Sequence, residues 1–242
     1  MPQRPCLVLT RPRPESARFA EQARDAGWRG EIVIAPLLEI VLHPLREAQF
    51  SDARTLVVTS QHAVSALVQA TDRRDWLVWA VGPRTAEAAR TAGFANVHQS
   101  GGDAKALLTE LTQSPPPAPI VHIRGYHAAA DIAAVLKAQG IDASALVGYE
   151  QVAIPLAQEA LRRLRTGGDV VMPVFSPRSG RLLAAAVQAI GGQSAKVHLI
   201  GISAAALQAT TIVSVASRHI AARPDAGSMC NAVASVQHAL EQ

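Results

Sequence analysis

The chain has few cysteines, few aromatic residues and no long apolar run, and each shortage excludes a class of protein. Its two cysteines, Cys6 and Cys230, are too few for the disulfide framework of a small secreted domain. No apolar stretch is long enough to span a bilayer, and MPQRP leads directly into CLVLT without the apolar core of a signal peptide. We therefore expect a soluble, cytoplasmic protein that does not bind membranes.

The motifs of common catalytic and cofactor sites are also missing. Neither G-x-G-x-x-G nor G-x-x-x-x-G-K-[ST] occurs, so dinucleotide and P-loop sites are not expected. No G-x-S-x-G elbow is present, which argues against a serine nucleophile of that type. The eight histidines are scattered, and the spacing of His122 and His127 is interpreted as coincidence rather than a zinc site. We expect no metal, no cofactor and no covalent catalysis.

What the chain does contain is enough apolar material for a sizeable core. Hydrophobic residues make up 49% and charged residues 17%, which excludes global disorder. The net charge is +4, and the arginines are dispersed rather than grouped in blocks. This pattern favours an anionic small molecule over a nucleic-acid partner, but on charge alone a soluble arginine-rich surface is the better explanation.

Short apolar runs alternate with amphipathic segments, which predicts an α/β fold with parallel sheets. The predicted strands cover 6–10, 31–36, 55–59, 77–82, 94–98, 119–124, 170–175 and 197–201. The predicted helices cover 15–26, 61–70, 84–92, 103–112, 156–166, 202–211 and 225–240. Two further helices are indicated by apolar faces that contain Ala129, Ile132, Ala133 and Leu136, and Leu182, Leu183, Ala186, Val187 and Ile190.

The sequence repeats itself at low similarity. VVTSQHAVSAL (57–67) and PVFSPRSGRLL (173–183) both run from a strand through a serine into a helix, so Ser60 aligns with Ser176. Arg11 aligns in the same way with Arg124, and Gly82 with Gly201. Three matches in the same order indicate an internal duplication.

Two long extended stretches, 37–45 and 143–155, occupy equivalent points of the repeats. If they pair as a two-stranded ribbon, the chain leaves one domain near residue 38 and returns near 153. This arrangement predicts a discontinuous domain of residues 1–38 plus 154–242 and an inserted domain of residues 44–146. The predicted fold is therefore α/β, with two similar parallel-sheet, flavodoxin-like domains joined by a β-ladder hinge at about 37–45 and 145–155, facing each other across that hinge.

Polar residues and glycines follow the strands at equivalent corners of the two domains. Ligands of parallel sheets bind at the carboxyl ends of the strands, where helix N-termini also attract anions. A plain N-cap explains each serine or threonine taken singly, whereas four equivalent corners together favour an anion-binding cleft. The corners are Thr59–Ser60, Gly82–Thr85, Ser176–Ser179 and Gly201–Ser203, and the corner arginines are Arg11, Arg84, Arg124 and Arg178.

The succession LTRP, GW, PLLEI, VVTSQHAV, AVGPRTAEA, HIRG, LKAQGI, YE, FSPRSG, LIGISAAA and ARPDAGSM resembles the uroporphyrinogen-III synthase family over nearly the whole chain. The resemblance implies a cofactor-free lyase acting on hydroxymethylbilane, a linear tetrapyrrole with eight carboxylates. Loss of the terminal hydroxyl gives an azafulvene, which the far pyrrole ring attacks to form a spiro intermediate. Fragmentation and reclosure then invert that ring and give uroporphyrinogen III.

The resemblance also implies site residues. Tyr149 matches a tyrosine on the family's returning hinge strand and is the candidate general acid for the departing hydroxyl, although a packed hinge aromatic explains it equally well. Phe175 and Ala204 stand where the family commonly has hydroxyls, which indicates that backbone contacts matter more there. The candidate substrate-binding residues are Arg11, Thr59, Ser60, Gly82, Arg84, Thr85, Arg124, Gly125, Ser176, Pro177, Arg178, Ser179, Gly201 and Ser203.

Two other functions remain open at this point. A non-catalytic two-domain protein that closes on an anionic small molecule has the same corners, but such proteins usually carry a secretory signal. A flavodoxin-like or receiver-like module has the same fold class, but neither a flavin-binding aromatic cluster nor an acidic phosphorylation pocket is visible. Nothing in the sequence requires more than a monomer, and a small-molecule substrate is the only partner expected.

Overall fold

The structure is a computed structural model of the 242-residue chain, which describes residues 4–127, 130–212 and 214–242. The chain divides into two compact units. Unit 1 comprises Met1–Glu39 with Ala153–Gln242, and unit 2 comprises Ile40–Val152. The idea that these units are separate domains joined by a movable hinge remains a prediction.

The strands and helices follow one another in the alternation that the sequence predicts. The strands are β1 Cys6–Leu9, β2 Glu31–Ile34, β3 Leu38–Leu42, β4 Thr55–Val58, β5 Leu77–Val81, β6 Asn96–Ser100, β7 Ile120–Gly125, β8 Ala143–Ala153, β9 Asp169–Val174, β10 Lys196–Gly201 and β11 Ser217–Ile220. The helices are α1 Arg13–Asp25, α2 Gln61–Ala70, α3 Gly82–Thr91, α4 Ala104–Gln113, α5 Ile132–Ala138, α6 Gln158–Thr166, α7 Pro177–Gln188, α8 Ala204–Gln208 and α9 Ala226–Leu240, with a short 3-10 helix at Glu47–Gln49.

The order of the strands within the described residues makes the repeat visible. The sheet of unit 1 has the order β11-β10-β9-β1-β2, and that of unit 2 has the order β3-β8-β7-β4-β5-β6. If β2, β1, β9, β10 and β11 are matched to β8, β7, β4, β5 and β6, the two orders are the same, and these strands run parallel. The predicted class, α/β with two predominantly parallel sheets, is confirmed.

Both sheets are covered by helices on both faces, which explains why their central strands are apolar throughout. β4 and β1 are buried at every position, as expected for strands that have no solvent-facing side. In each unit, two apolar clusters lie on opposite faces of the sheet.

Burial also raises the pKa of the Cys6 thiol to about 12 and that of Cys230 to about 11, and both cysteines are free.

The chain passes between the units along β3 and β8, which are neighbours in the sheet of unit 2. The His43 amide donates to the Gly148 carbonyl at 2.9 Å, and the Ile154 amide donates to the Leu37 carbonyl at 3.1 Å. These hydrogen bonds join the two stretches that the sequence predicts to be extended.

Three details differ from the sequence prediction. The helix predicted at 202–211 is limited to α8, because the β-branched run Thr210–Ile212 follows it and favours extended backbone. The strand predicted at 94–98 lies two residues later as β6, and edge strand β11 was not predicted at all. Ala129, assigned to the face of α5, lies outside the described residues. No helix in the described segments is long and apolar enough to cross a membrane.

Candidate functional site

The central corner of unit 2 lies between β4 and β7. From β4 the chain continues to β5 and β6 on one side, whereas β7 and β8 lie on the other side. Such a switch in strand order leaves a crevice at the carboxyl ends of the two strands, where ligands of open α/β sheets bind. Thr59 follows β4, and Arg124 and Gly125 end β7. The fold therefore brings these three candidate residues to one edge of one sheet.

His122 lies below this edge, within β7. It is a buried polar residue that is not among the candidates predicted from the sequence. Its side chain is 1% exposed, and its Nε2 lies 3.5 Å from Thr59 Oγ1. The pKa of His122 is lowered to about 4, mainly by burial and also by the nearby Arg124 charge, while Asp131 opposes the shift. The imidazole is therefore neutral near pH 7. In the sequence, His122 has no Cys or acidic residue beside it at metal-ligand spacing, so no local motif marks it as functional.

Several buried polar atoms on one face of the sheet of unit 2 have unused hydrogen-bonding capacity. Within the described part of the chain, Trp79 Nε1, Ser100 Oγ, His122 Nδ1 and Arg124 Nε are buried and have no partner. Strand register places Trp79 and His122 beside Val57, on the face that packs against α4 and α5. Arg124 lies two residues beyond His122, so it belongs to the same face. Native proteins satisfy most such atoms, so this face is suited to a polar ligand or ordered water.

Tyr149 lies on β8, in register with Gly125 at the end of β7. A Cβ on Gly125 would lie 2.8 Å from the Tyr149 Cζ and 3.0 Å from its hydroxyl oxygen, so only glycine leaves room for this ring. The Tyr149 ring also lies against the His62 imidazole, with the ring centroids 5.4 Å apart. Among the described residues, no hydrogen bond uses the Tyr149 hydroxyl. The ring is thus held in place while its hydroxyl remains available.

The other corners of unit 2 are helix starts. Ser60 caps α2, its Oγ accepting the His62 amide at 3.2 Å. Gly82 begins α3 with a φ of +69°, a conformation that favours glycine. Thr85 is buried and Arg84 is exposed. The Arg124 Nη1 donates to the carbonyls of Gly125 and Tyr126, each at 3.0 Å, which holds the loop after β7.

Unit 1 has the same switch in strand order between β1 and β9. Arg11 follows β1, and its guanidinium carbon lies 4.5 Å from the centroid of the Phe175 ring, which follows β9. The Phe19 ring also contacts the Phe175 ring in an edge-on arrangement, with centroids 5.1 Å apart. Here an aromatic–cation stack occupies the corner that holds Thr59 and His122 in unit 2.

The second and third corners of unit 1 are capped by serines. Ser176 and Ser179 form a reciprocal box: the Ser179 amide donates to Ser176 Oγ at 3.1 Å, and the Ser176 amide donates to Ser179 Oγ at 3.0 Å. Pro177 is the first residue of α7, and half-buried Arg178 follows it. Ser203 caps α8 by accepting the Ala206 amide at 3.3 Å.

Gly201 ends β10 against α8 and the loop that leads into it. A Cβ on Gly201 would lie 2.4 Å from the Leu207 Cγ and 2.9 Å from the Ser203 carbonyl oxygen. The close approach of strand, loop and helix therefore requires glycine at this position.

The candidate residues thus fall into two groups, one at the carboxyl edge of each sheet. Unit 2 carries Thr59, Ser60, Gly82, Arg84, Thr85, Arg124, Gly125 and Tyr149, and unit 1 carries Arg11, Ser176, Pro177, Arg178, Ser179, Gly201 and Ser203. Each edge offers hydroxyls, backbone amides and guanidinium groups, which are the groups that bind carboxylates. Among the described residues, no cluster of three or more His, Cys, Asp or Glu could hold a metal ion.

The fold and these edges define the class of the protein: it is an α/β protein of two doubly wound units whose strand-to-helix loops carry donors suited to anionic ligands. Comparison with protein families finds a match to the model of "Uroporphyrinogen-III synthase HemD" over residues 17–231. The chain belongs to the uroporphyrinogen-III synthase family.

A solved structure from Helicobacter pylori agrees with this membership at the level of the fold. The uroporphyrinogen-III synthetase of Helicobacter pylori 26695 is 17% identical, with a TM-score of 0.63 over 98% of this chain and 100% of that chain. A mutant uroporphyrinogen III synthase of Thermus thermophilus is 15% identical, with a TM-score of 0.49 over 98% of this chain and 99% of that one. Comparison with curated protein sequences finds no match.

Proposed function

We propose that the protein is a uroporphyrinogen-III synthase, which cyclises hydroxymethylbilane with inversion of the terminal pyrrole ring in tetrapyrrole biosynthesis. The observation that carries the proposal is the family match over residues 17–231. The reaction releases the terminal hydroxyl as water and forms a carbon–carbon bond, so the enzyme is a carbon–oxygen lyase. No observation favours the alternative of a non-catalytic binding protein.

The chemical task is positioning rather than covalent catalysis. Without the enzyme the same bilane closes without inversion to isomer I, so the protein has to hold the far ring for attack through its substituted carbon. The substrate carries eight carboxylates, which suit the donors at the sheet edges. We assign carboxylate binding to backbone amides and hydroxyls at Thr59, Ser60, Ser176 and Ser203 and to the corner arginines.

Tyr149 is the proposed general acid that protonates the departing hydroxyl. Its phenol is an O–H donor, and the packing of its ring against Gly125 and His62 supports a fixed orientation. The neutral imidazole of His122 lies close to Thr59 Oγ1, which supports a role for His122 in orienting the Thr59 hydroxyl. His122 is therefore a positioning residue in this proposal.

The remaining parts of the proposal concern the whole molecule. We propose that the two units act as domains joined by a hinge at β3 and β8, and that the enzyme works as a cytoplasmic monomer without a cofactor. Paired strands that carry the chain from one unit to the other support the hinge. Turnover by the purified protein in metal-free buffer tests the absence of a metal cofactor, and its mass measured in solution tests the monomer.

A coupled assay tests the function directly. Hydroxymethylbilane is generated in situ, the purified protein is added, and the oxidised products are separated into uroporphyrin I and uroporphyrin III. We expect a protein-dependent shift to isomer III. Formation of isomer I alone, at the same rate with and without the protein, would contradict the proposed function and leave the fold unchanged.

A further inference from the structure

Unit 1 contains a cavity beside edge strand β11, on the face of the sheet that packs against α9. It has a volume of about 560 Å³ and lies between β10, β11 and α9. Ile220, Ala232, Val236 and Leu240 supply apolar surface, and polar side chains converge on one part of the wall. Small-molecule sites have this size and this mixture of apolar lining and a few directed polar groups.

Three polar side chains of the wall, His198, Ser217 and His219, belong to a continuous hydrogen-bonded chain that ends at Asp169 behind the wall. His198 Nε2 lies 2.9 Å from Asp169 Oδ1, and His198 Nδ1 lies 2.8 Å from Ser217 Oγ. Ser217 Oγ also lies 2.8 Å from His219 Nε2. His198 is 6% exposed, and Ser217 and His219 line the cavity. An acid, a base and a hydroxyl are therefore connected in sequence, with the hydroxyl at the cavity surface.

The partners determine where the protons lie in this chain. The Asp169 carboxylate only accepts, so His198 carries its hydrogen on Nε2 and donates it to Asp169. In the neutral ring Nδ1 then has a lone pair, so the Ser217 hydroxyl donates to it. The Ser217 oxygen in turn accepts from His219 Nε2. Ser217 thus has a base that can take its proton, and that base is oriented by a carboxylate.

We propose that Ser217, His198 and Asp169 form a second catalytic site, in which Ser217 is an acyl-accepting nucleophile for small esters of apolar carboxylic acids. The apolar lining accommodates a short aliphatic acyl chain. The His219 Nε2–H donates to Ser217 Oγ, the oxygen that attacks the ester. The Asn231 amide lines the same cavity. Both are of the kind that stabilise a developing oxyanion. This site is independent of the proposed synthase function.

The proposed step balances without a cofactor. Ser217 Oγ forms a bond to the ester carbonyl carbon as its proton passes to His198 Nδ1, and Asp169 stabilises the imidazolium. The C–O bond to the alcohol breaks, and the leaving oxygen receives that proton from Nδ1. Water then attacks the acyl group and gives its proton to Nδ1, which returns it to Ser217 Oγ as the carboxylic acid departs.

Covalent labelling tests the nucleophile. The full-length protein is treated with an alkyl fluorophosphonate, and the modified peptide is identified by mass spectrometry. We expect modification at Ser217, lost in Ser217→Ala and in His198→Gln. Ser235→Ala is the matched control, because Ser235 lines the same cavity but donates to the Asn231 carbonyl instead of a histidine. Absence of the label from Ser217 in the folded wild-type protein would overturn the proposal.

Turnover of p-nitrophenyl butyrate tests the chemistry. We expect Ser217→Ala to lower kcat on the order of 100-fold or more. Ser65→Ala, at an exposed serine of α2 whose hydroxyl donates to the Gln61 carbonyl, should leave kcat unchanged. Asp169→Asn should lower kcat with little change in KM, because Asp169 positions the imidazole and does not touch the ester. Equal rates in wild type and Ser217→Ala would contradict the proposal. Thermal unfolding and isomer III formation, measured on each variant, separate a folding defect from loss of this site.

Discussion

The carboxyl edges of units 1 and 2 share one topology but differ in the chemistry of their central corner. In unit 2, Thr59 precedes Ser60, and His122 lies two residues before Arg124. In unit 1 the aligned positions are Phe175, which precedes Ser176, and Leu9, which lies two residues before Arg11. A hydroxyl and a buried imidazole in one unit thus correspond to a phenyl ring and an isobutyl group in the other.

The comparison separates what the fold requires from what it tolerates. The same strand order forms with an apolar corner, where Arg11 stacks on Phe175, and with a polar one, where buried atoms of His122 and Arg124 keep unused hydrogen-bonding capacity. Burying a polar group without a partner destabilises a fold. The shared strand order does not require buried polar groups without partners. The polar corner of unit 2 is therefore the better candidate for catalysis.

Replacing His122 by Leu, the residue at the aligned position of unit 1, should have the largest effect, seen in the pH dependence of stability. The pKa of His122 is lowered to about 4, so below pH ~6.5 the unfolded chain binds a proton that the folded chain does not. Stability due to the neutral imidazole is therefore complete above pH ~6.5 and is lost as the pH falls toward 4. Wild type should lose about 3 kcal/mol more than His122→Leu over this range.

Urea unfolding at several pH values measures this difference. His238→Leu is the control, because His238 is exposed near the C-terminus and should follow the wild-type curve. Parallel curves for wild type and His122→Leu would show that the imidazole is not held neutral by burial.

Tyr149→Phe removes a hydroxyl from the polar edge of unit 2. It leaves a phenyl ring, the group that Phe175 supplies in the corner of unit 1. If Tyr149 donates a proton to the departing hydroxyl, turnover should fall about 100-fold with little change in KM. Tyr126→Phe is the matched control, since Tyr126 is the other tyrosine of the chain and is 57% exposed. Steady-state kinetics of isomer III formation decide the matter, and unchanged turnover would leave Tyr149 with a packing role.

Gly125→Ala and Gly201→Ala compare close approaches in the two units. At Gly201 the new methyl group meets the Ser203 carbonyl and Leu207, so we expect a loss of about 2 kcal/mol in stability. At Gly125 its nearest neighbours are atoms of the Tyr149 ring, so the methyl group displaces that ring and activity should fall more than stability. Thermal unfolding and isomer III kinetics on both variants check this, and the opposite pattern would contradict the assigned role of Tyr149.

The capping serines should give the smallest effects. Ser176→Ala breaks a reciprocal cap and should cost about 1 kcal/mol, and Ser60→Ala, which loses one hydrogen bond, somewhat less. Serine-to-glycine variants keep most of the helix stability but lack the hydroxyl. A rise in KM in the glycine variants, measured beside their unfolding midpoints, would indicate substrate contact. An unchanged KM would mean that both serines act only as caps.

Some elements could be predicted closely because local patterns specify them. Ser60 followed by an apolar face at helical spacing predicts a helix over 61–70, and α2 occupies those residues. β11 could not be found in this way, because Arg218, His219 and Ile220 are exposed on an edge strand and show no apolar pattern. Extending the repeat would have found it, since β11 corresponds to β6.

The sequence by itself determined the alternation of strands and helices, the duplication and the residues at the helix starts, because these depend on periodicity, capping and order along the chain. Tertiary structure alone decided that His122 lies buried beside Thr59, and that Asp169, His198 and Ser217 form one hydrogen-bonded chain. The physical reason is that strand register joins residues far apart in the sequence. Burial then sets their protonation and hydrogen bonding, which no local pattern records.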